Sequence, residues 1–158
     1  MIRQARPEDA EAIAEMLRPI VRDTTVTFTS EEKTTASIAA DIDARGNAFQ
    51  VAVLDDRVVG FATYFPFRHG PGYARTQEHS IILRPEAHGK GFGKALLDRL
   101  SDIARNHGVH SLIAGVSGEN TAGLAFHAAV GFNETARLPE VGYKFGRYLD
   151  LVLMQKIL

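Results

Sequence analysis

The sequence contains no cysteine. Disulfides, thiolate metal sites and a cysteine nucleophile are excluded, and the chain suits a reducing cytoplasm. It also lacks a dominant charge. Eighteen Lys and Arg against 19 Asp and Glu leave a formal net charge of -1, without the global basic field that would gather nucleic acid or an anionic membrane. No run of about 18 apolar residues is present to span a bilayer, and Met1 to Pro7 lacks the apolar centre of a signal peptide. The reading is a soluble cytoplasmic protein. The six histidines show no HxxxH pairing, so no metal site is expected. Repeats and low-complexity tracts are absent too. What remains, at 158 residues, is a single domain over 1–158 with enough chain for a real core.

The most informative stretch runs from Glu78 to Leu97. An apolar run, Ser80 to Leu83, stops at Arg84-Pro85. A glycine-rich turn, His88-Gly89-Lys90-Gly91-Phe92-Gly93, then opens into a helical pattern with Leu96, Leu97, Leu100, Ile103 and Ala104 on one side. Glycines there let the backbone turn tightly and leave amides bare at the positive end of a helix dipole, which suits a phosphate. The alternative is an ordinary strand-to-helix turn. No Gly-Lys-Ser/Thr ends the loop, so it is not a P-loop. Its place past the middle of the chain also differs from the Rossmann setting.

In chain order, Ile2 to Arg6 reads as a first strand stopped by Pro7. A helix follows, with Ala10, Ile13, Ala14, Leu17 and Val21 at helical spacing, and Pro19 is expected to kink or end it. Thr24 to Ser30 reads as a solvated connection with Phe28 tucked into the core, or as a functional loop. Ser30 to Lys33 resembles the start of a second helix, which stops near Gly46. Phe49 to Leu54 and Val58 to Phe65 form a hairpin around Asp55-Asp56-Arg57. Pro66 to Gly72 breaks the pattern, and Tyr73 to Leu83 resumes it. After the helix from Lys90 come a strand, Ser111 to Val116, a small helix after Asn120, and strands at Phe132 to Ala136 and Tyr148 to Met154. This order gives an α+β layer arrangement with a mixed sheet and helices on its faces.

Four motifs in order resemble the GNAT superfamily of N-acetyltransferases: Ile82-Leu83-Arg84-Pro85, the loop Gly89-Lys90-Gly91-Phe92-Gly93-Lys94, Asn120, and Gly131-Phe132. Glu78-His79-Ser80, His127 and the segment Val141 to Asp150 resemble, more narrowly, the phosphinothricin and methionine sulfoximine or sulfone acetyltransferase branch. The likeness extends from Ile2 to Gln155. It implies a mostly antiparallel central sheet flanked by helices on both faces, acetyl-CoA as co-substrate with its pyrophosphate on the loop, a small-molecule amine acceptor and a homodimer. Two positions depart from the pattern. His88 stands where Gln or Arg often opens the loop, and Tyr73-Ala74-Arg75-Thr76 replaces Tyr-Arg-His-Thr, which moves an arginine to the opposite face of a strand.

Acetyl transfer to an amine needs a neutral nitrogen, a held thioester, a stabilised oxyanion and a proton for the departing thiolate. Glu78 is the expected general base, directly or through a water. The competing reading is a salt bridge with Arg75 or Arg68. An ordinary Glu pKa of about 4.3 is low for this task, so a relay or a raised pKa is required. The backbone of Ile81, Ile82 and Leu83 would pair with the pantetheine arm, or simply with Ser111 to Val116, and both hold if the two strands splay apart. Asn120 would bond the arm or cap its helix. His127 stands where the superfamily usually has an acidic tyrosine; it would protonate the thiolate or merely pack. His79 and His88 are weaker candidates. Phe28, Arg68, Tyr73, Ala74 and Arg75 are the expected acceptor lining, with Arg75 alternatively a solvated charge. Other acceptors in view are a protein N-terminus, a polyamine or an aminoglycoside. A non-catalytic CoA-binding sensor is the reading from another class.

Overall fold

The computed structural model describes residues 1–158. The chain runs β1 (Ile2–Gln4), α1 (Ala10–Asp23), α2 (Thr35–Arg45), β2 (Phe49–Leu54), β3 (Arg57–Pro66), β4 (Thr76–Leu83), α3 (Phe92–Asn106), β5 (Ser111–Ser117), α4 (Thr121–Ala129), β6 (Asn133–Lys144) and β7 (Arg147–Ile157). The strands form one sheet in the order β1-β2-β3-β4-β5-β7-β6. Every neighbouring pair is antiparallel except β4 with β5. This is the expected mixed α+β architecture. No helix is long and apolar enough to cross a membrane.

Two apolar cores lie on opposite faces of the sheet. Ile13, Ala14 and Met16 of α1 and Ile38 and Ile42 of α2 meet Phe49, Val51 and Phe61 on one face. Leu96, Leu97, Leu100 and Ala104 of α3 meet Ala52, Ala62 and Leu112 on the other. The i, i+3, i+4 spacing of the α3 leucines aims them at the sheet together, and burying each contributes about 1.5–3 kcal/mol.

Several boundaries differ from those read in the sequence. Helix α1 runs through Pro19 to Asp23, because Pro19 lies on the exposed side, where the carbonyl it leaves unpaired can meet water. Helix α2 starts at Thr35 rather than near Ser30. Thr34 caps it, its hydroxyl accepting from the Ser37 amide at 3.0 Å. Strand β4 begins at Thr76, since Pro71–Tyr73 forms a 3-10 turn. Strands β6 and β7 are longer than expected and meet around a turn at Phe145 and Gly146, both with positive φ. The Asp55-Asp56 turn is as read, with φ of 48° and 59° giving the twist that a two-residue hairpin needs. Phe28 does not join either core; it is half-buried against Gly142.

Candidate active site

Strands β4 and β5 pair only from Thr76 with Ser111 to His79 with Ala114, and then part. Beyond that point the β5-facing edges of Ser80 to Leu83 and the β4-facing edges of Gly115 to Ser117 have no strand partner. The expected splay is therefore present, and it starts beside Glu78. A cavity of about 840 Å³ occupies this opening and continues over the α1–α2 face of the sheet.

Past the splay, β4 leads through Arg84 and Pro85–Ala87 into the glycine loop. Gly89 and Gly91 have φ of 73° and 81°, and Gly91 stands at the N-cap of α3 without a capping side chain. A Cβ at either glycine would meet nothing within 4 Å, so the bare backbone faces open space. The first helical amide to find an acceptor is Ala95, on the Gly91 carbonyl at 3.0 Å. The amides of Gly89, Lys90, Gly91, Phe92, Gly93 and Lys94 have no protein acceptor. Six free donors at the positive end of a 15-residue helix fit an anion such as a diphosphate.

Alternation along β4 turns Glu78, Ser80 and Ile82 toward the α1–α2 face, and His79, Ile81 and Leu83 toward the α3–α4 face. Glu78 is half-buried in the cavity wall and makes no ion pair with Arg68, Arg75 or any other cation. Burial pushes its carboxyl above the ordinary glutamate value. That shift is in the direction a base for an ammonium requires.

On the opposite face, His127 of α4 and His79 are both buried, with their Nε2 atoms 3.0 Å apart. The Gly123 carbonyl accepts from Nδ1 of His127 at 2.7 Å, so that nitrogen carries a proton and Nε2 of the neutral ring accepts from His79. Burial lowers the pKa of both rings, that of His79 to about 3, with the charge of His127 adding to the effect. Nδ1 of His79 is buried without a partner. Both nitrogens of His127 are thus already engaged by protein groups. Asn120 caps α4, its Oδ1 accepting from the Gly123 amide at 2.9 Å, and the residue also lines the cavity.

Of the residues singled out in the sequence, Phe28, Glu78, Ile81, Ile82, Asn120 and His127 line the cavity. Leu83 and the loop from Gly89 to Lys94 lie farther along the same path. Arg68, Tyr73, Ala74 and Arg75 are exposed and do not line it; Arg68 instead stacks on Tyr73, its Cζ 5.5 Å from the ring centroid. Three groups make contacts at the site that the linear order did not announce. Arg45 of α2 enters the cavity above Phe65. His79 reaches His127. Lys144 is 5% exposed and donates to the carbonyls of Thr24 at 2.6 Å and Thr27 at 2.8 Å, fastening the connection that carries Phe28 to the β6–β7 hairpin. No cluster of three or more His, Asp or Glu side chains is arranged to hold a metal.

A sequence model of the acetyltransferase (GNAT) family matches residues 13–132. The chain is 40% identical to the L-amino acid N-acyltransferase MnaT of Escherichia coli K12, over 98% of this chain and 91% of that one. It is 38% identical to an L-methionine sulfoximine/L-methionine sulfone acetyltransferase of Salmonella typhimurium, over 98% and 92%. It is also 38% identical to a phosphinothricin N-acetyltransferase of Alcaligenes faecalis, over 98% and 81%. A solved structure of yncA from Salmonella typhimurium, with its cofactor acetyl-CoA, superposes with a TM-score of 0.93 at 36% identity, over 99% of this chain and 92% of that one. A free-amide loop after a splayed strand, and a family match across most of the chain, agree: this protein belongs to the GNAT acetyltransferase family and is an N-acetyltransferase.

Proposed function

We propose that the protein transfers the acetyl group of acetyl-CoA directly to the α-amine of a small amino-acid-like acceptor, with methionine sulfoximine, methionine sulfone and phosphinothricin as the first to try. The observation that carries this reading is the parting of β4 from β5 directly after Glu78 and His79. It sets a half-buried carboxylate next to unpaired backbone that leads to the free amides of Gly89 to Lys94. The acceptors named for the curated relatives are amino acids or their analogues, which supports the substrate class.

Acetyl-CoA supplies an acetyl thioester. The loop amides would hold its diphosphate, and the open edge of Ile81 to Leu83 would pair with its amide arm as a neighbouring strand does. The same backbone donors would steady negative charge on the reacting carbonyl. Glu78 would take the proton from the acceptor's ammonium, directly or through one water, its raised pKa narrowing the gap to the amine. Phe28 would bound the acceptor. With both His127 nitrogens bonded, we assign that residue with His79 to bracing β4 against α4, instead of proton donation to the thiolate.

An amine screen that detects released thiol tests the reading, with Glu78→Gln beside wild type. Turnover of methionine sulfone or phosphinothricin is expected, and a loss on the order of 10²–10⁴-fold in the variant. Full activity of Glu78→Gln across pH would remove the base from Glu78. A second acceptor class, polyamines, would lean on Glu31 and Glu78, the cavity-wall acids without an ion pair. Spermidine turning over while amino acids stay inert would select it. We also propose a homodimer through the edge hairpin, where Val141, Tyr143, Phe145 and Tyr148 are each more than half exposed. Sedimentation at micromolar concentration checks it, and a monomer there removes the dimer.

A further inference from the structure

Resting on the amino-acid reading above, we propose that Arg45 binds the acceptor's carboxylate and so selects α-amino acids over simple amines. Arg45 lies in the last turn of α2, its side chain 23% exposed, and it lines the cavity. Its guanidinium rests on the Phe65 ring, with Cζ 5.1 Å from the centroid. In the β3–β4 ladder Phe65 stands directly opposite Glu78, and Thr63 opposite Ser80. Opposite residues in an antiparallel pair share a face, with Cα atoms about 4.5–5.5 Å apart. Arg45 and Glu78 therefore each stand next to Phe65, and all four strand residues line the cavity.

The donors of Arg45 are poorly used. One reaches the Thr63 hydroxyl at 3.4 Å, and its single ion pair, to Asp41, is 3.6 Å long. Lys33 holds the same Asp41 oxygen at 2.8 Å and already balances its charge. Of the other acids on the wall, Glu32 is taken by Arg22, while Glu31 has no ion pair and is exposed. Arg45 and Glu78 are not bonded to each other. An under-coordinated cation and a half-buried carboxylate, flanking Phe65 on the same cavity wall, complement a zwitterion. The ammonium meets Glu78, and the adjacent carboxylate meets the guanidinium fork.

The test compares methionine sulfone with its α-carboxamide as acceptors for wild type, Arg45→Gln and Arg45→Lys. Wild type should prefer the free acid by about 10- to 100-fold in kcat/KM, the range for hydrogen bonds to a charged group. Arg45→Gln should lose most of that preference, mainly through a higher KM for the acid, and Arg45→Lys should regain part of it. An acid-to-amide ratio in Arg45→Gln equal to that of wild type overturns the assignment while leaving the amino-acid reading intact. Equal use of both acceptors by wild type overturns it without any variant. No turnover of any amino acid by wild type overturns both readings. Circular dichroism melts of the variants separate a lost carboxylate partner from a lost fold.

Discussion

His79 and His127 face each other through their Nε2 atoms at 3.0 Å, two imidazoles sharing one hydrogen bond between β4 and α4. Because burial lowers both pKa values, the pair contributes stability that is present above the unfolded histidine value of about 6.5 and lost as pH falls below it, toward about 3 for His79. Denaturant titrations between pH 5 and 8 should show stability falling toward pH 5, by at most about 1.4 kcal/mol per pH unit for each histidine. His79→Leu should be less stable than wild type at pH 8 and show a shallower slope. A slope equal to that of wild type would assign the acid sensitivity elsewhere.

Glu78 carries the opposite sign. Its folded pKa is raised by burial, so the folded state bears the cost of an ionised carboxylate once pH rises past that value. Glu78→Gln should therefore melt higher than wild type at pH 8 and at a similar temperature at pH 4, while losing activity at every pH. An inactive variant that is also destabilised at pH 8 would show that the carboxylate has a structural bond to lose.

Gly93 sits where α3 crosses Leu83 and Phe126. An added Cβ would stand 2.9 and 3.0 Å from the Phe126 ring and 3.4 Å from Leu83. Gly93→Ala should cost about 1–3 kcal/mol, the usual penalty of overpacking, and weaken acetyl-CoA binding by shifting the first turn of the helix. Gly91→Ala has room for its methyl but a φ of 81°, so a penalty of about 1–2 kcal/mol should come from backbone strain alone. Thermal melts and coenzyme titration measure both.

Lys144→Met should release the connection that carries Phe28, since the ammonium alone ties the carbonyls of Thr24 and Thr27 to the hairpin. The expected loss is on the order of 2–3 kcal/mol for charged hydrogen bonds inside the protein. Acceptor KM should rise while coenzyme affinity holds. Equal rises in both constants would mean that the whole site, and not one wall, had moved.

The elements and their order were legible because each rests on local signals. The α3 leucines repeat at helical spacing, glycines mark the loop, and Asp55-Asp56 marks the turn. Boundaries moved where position in the fold outweighed the local signal, as when α1 tolerated Pro19 on its wet side. The β4 edge and the glycine loop were readable for the same reason, being contiguous. Arg45 was not, because its place above Phe65, the ladder partner of Glu78, depends on how α2 lies over β3 and on the β3–β4 register. Arg68 and Arg75 looked better placed only because they are close to Glu78 along the chain. The bond between His79 and His127 spans 48 positions, and no spacing rule announces it.

Within the sheet, a ladder of four residue pairs is the only strand pairing between β1–β4 and β5, β7 and β6. Mechanically, the sheet is two leaves on a short spine, and whatever fills the gap stitches them together. Occupancy should thus register far from the chemistry, as slower amide deuteration along both inner margins of the two leaves.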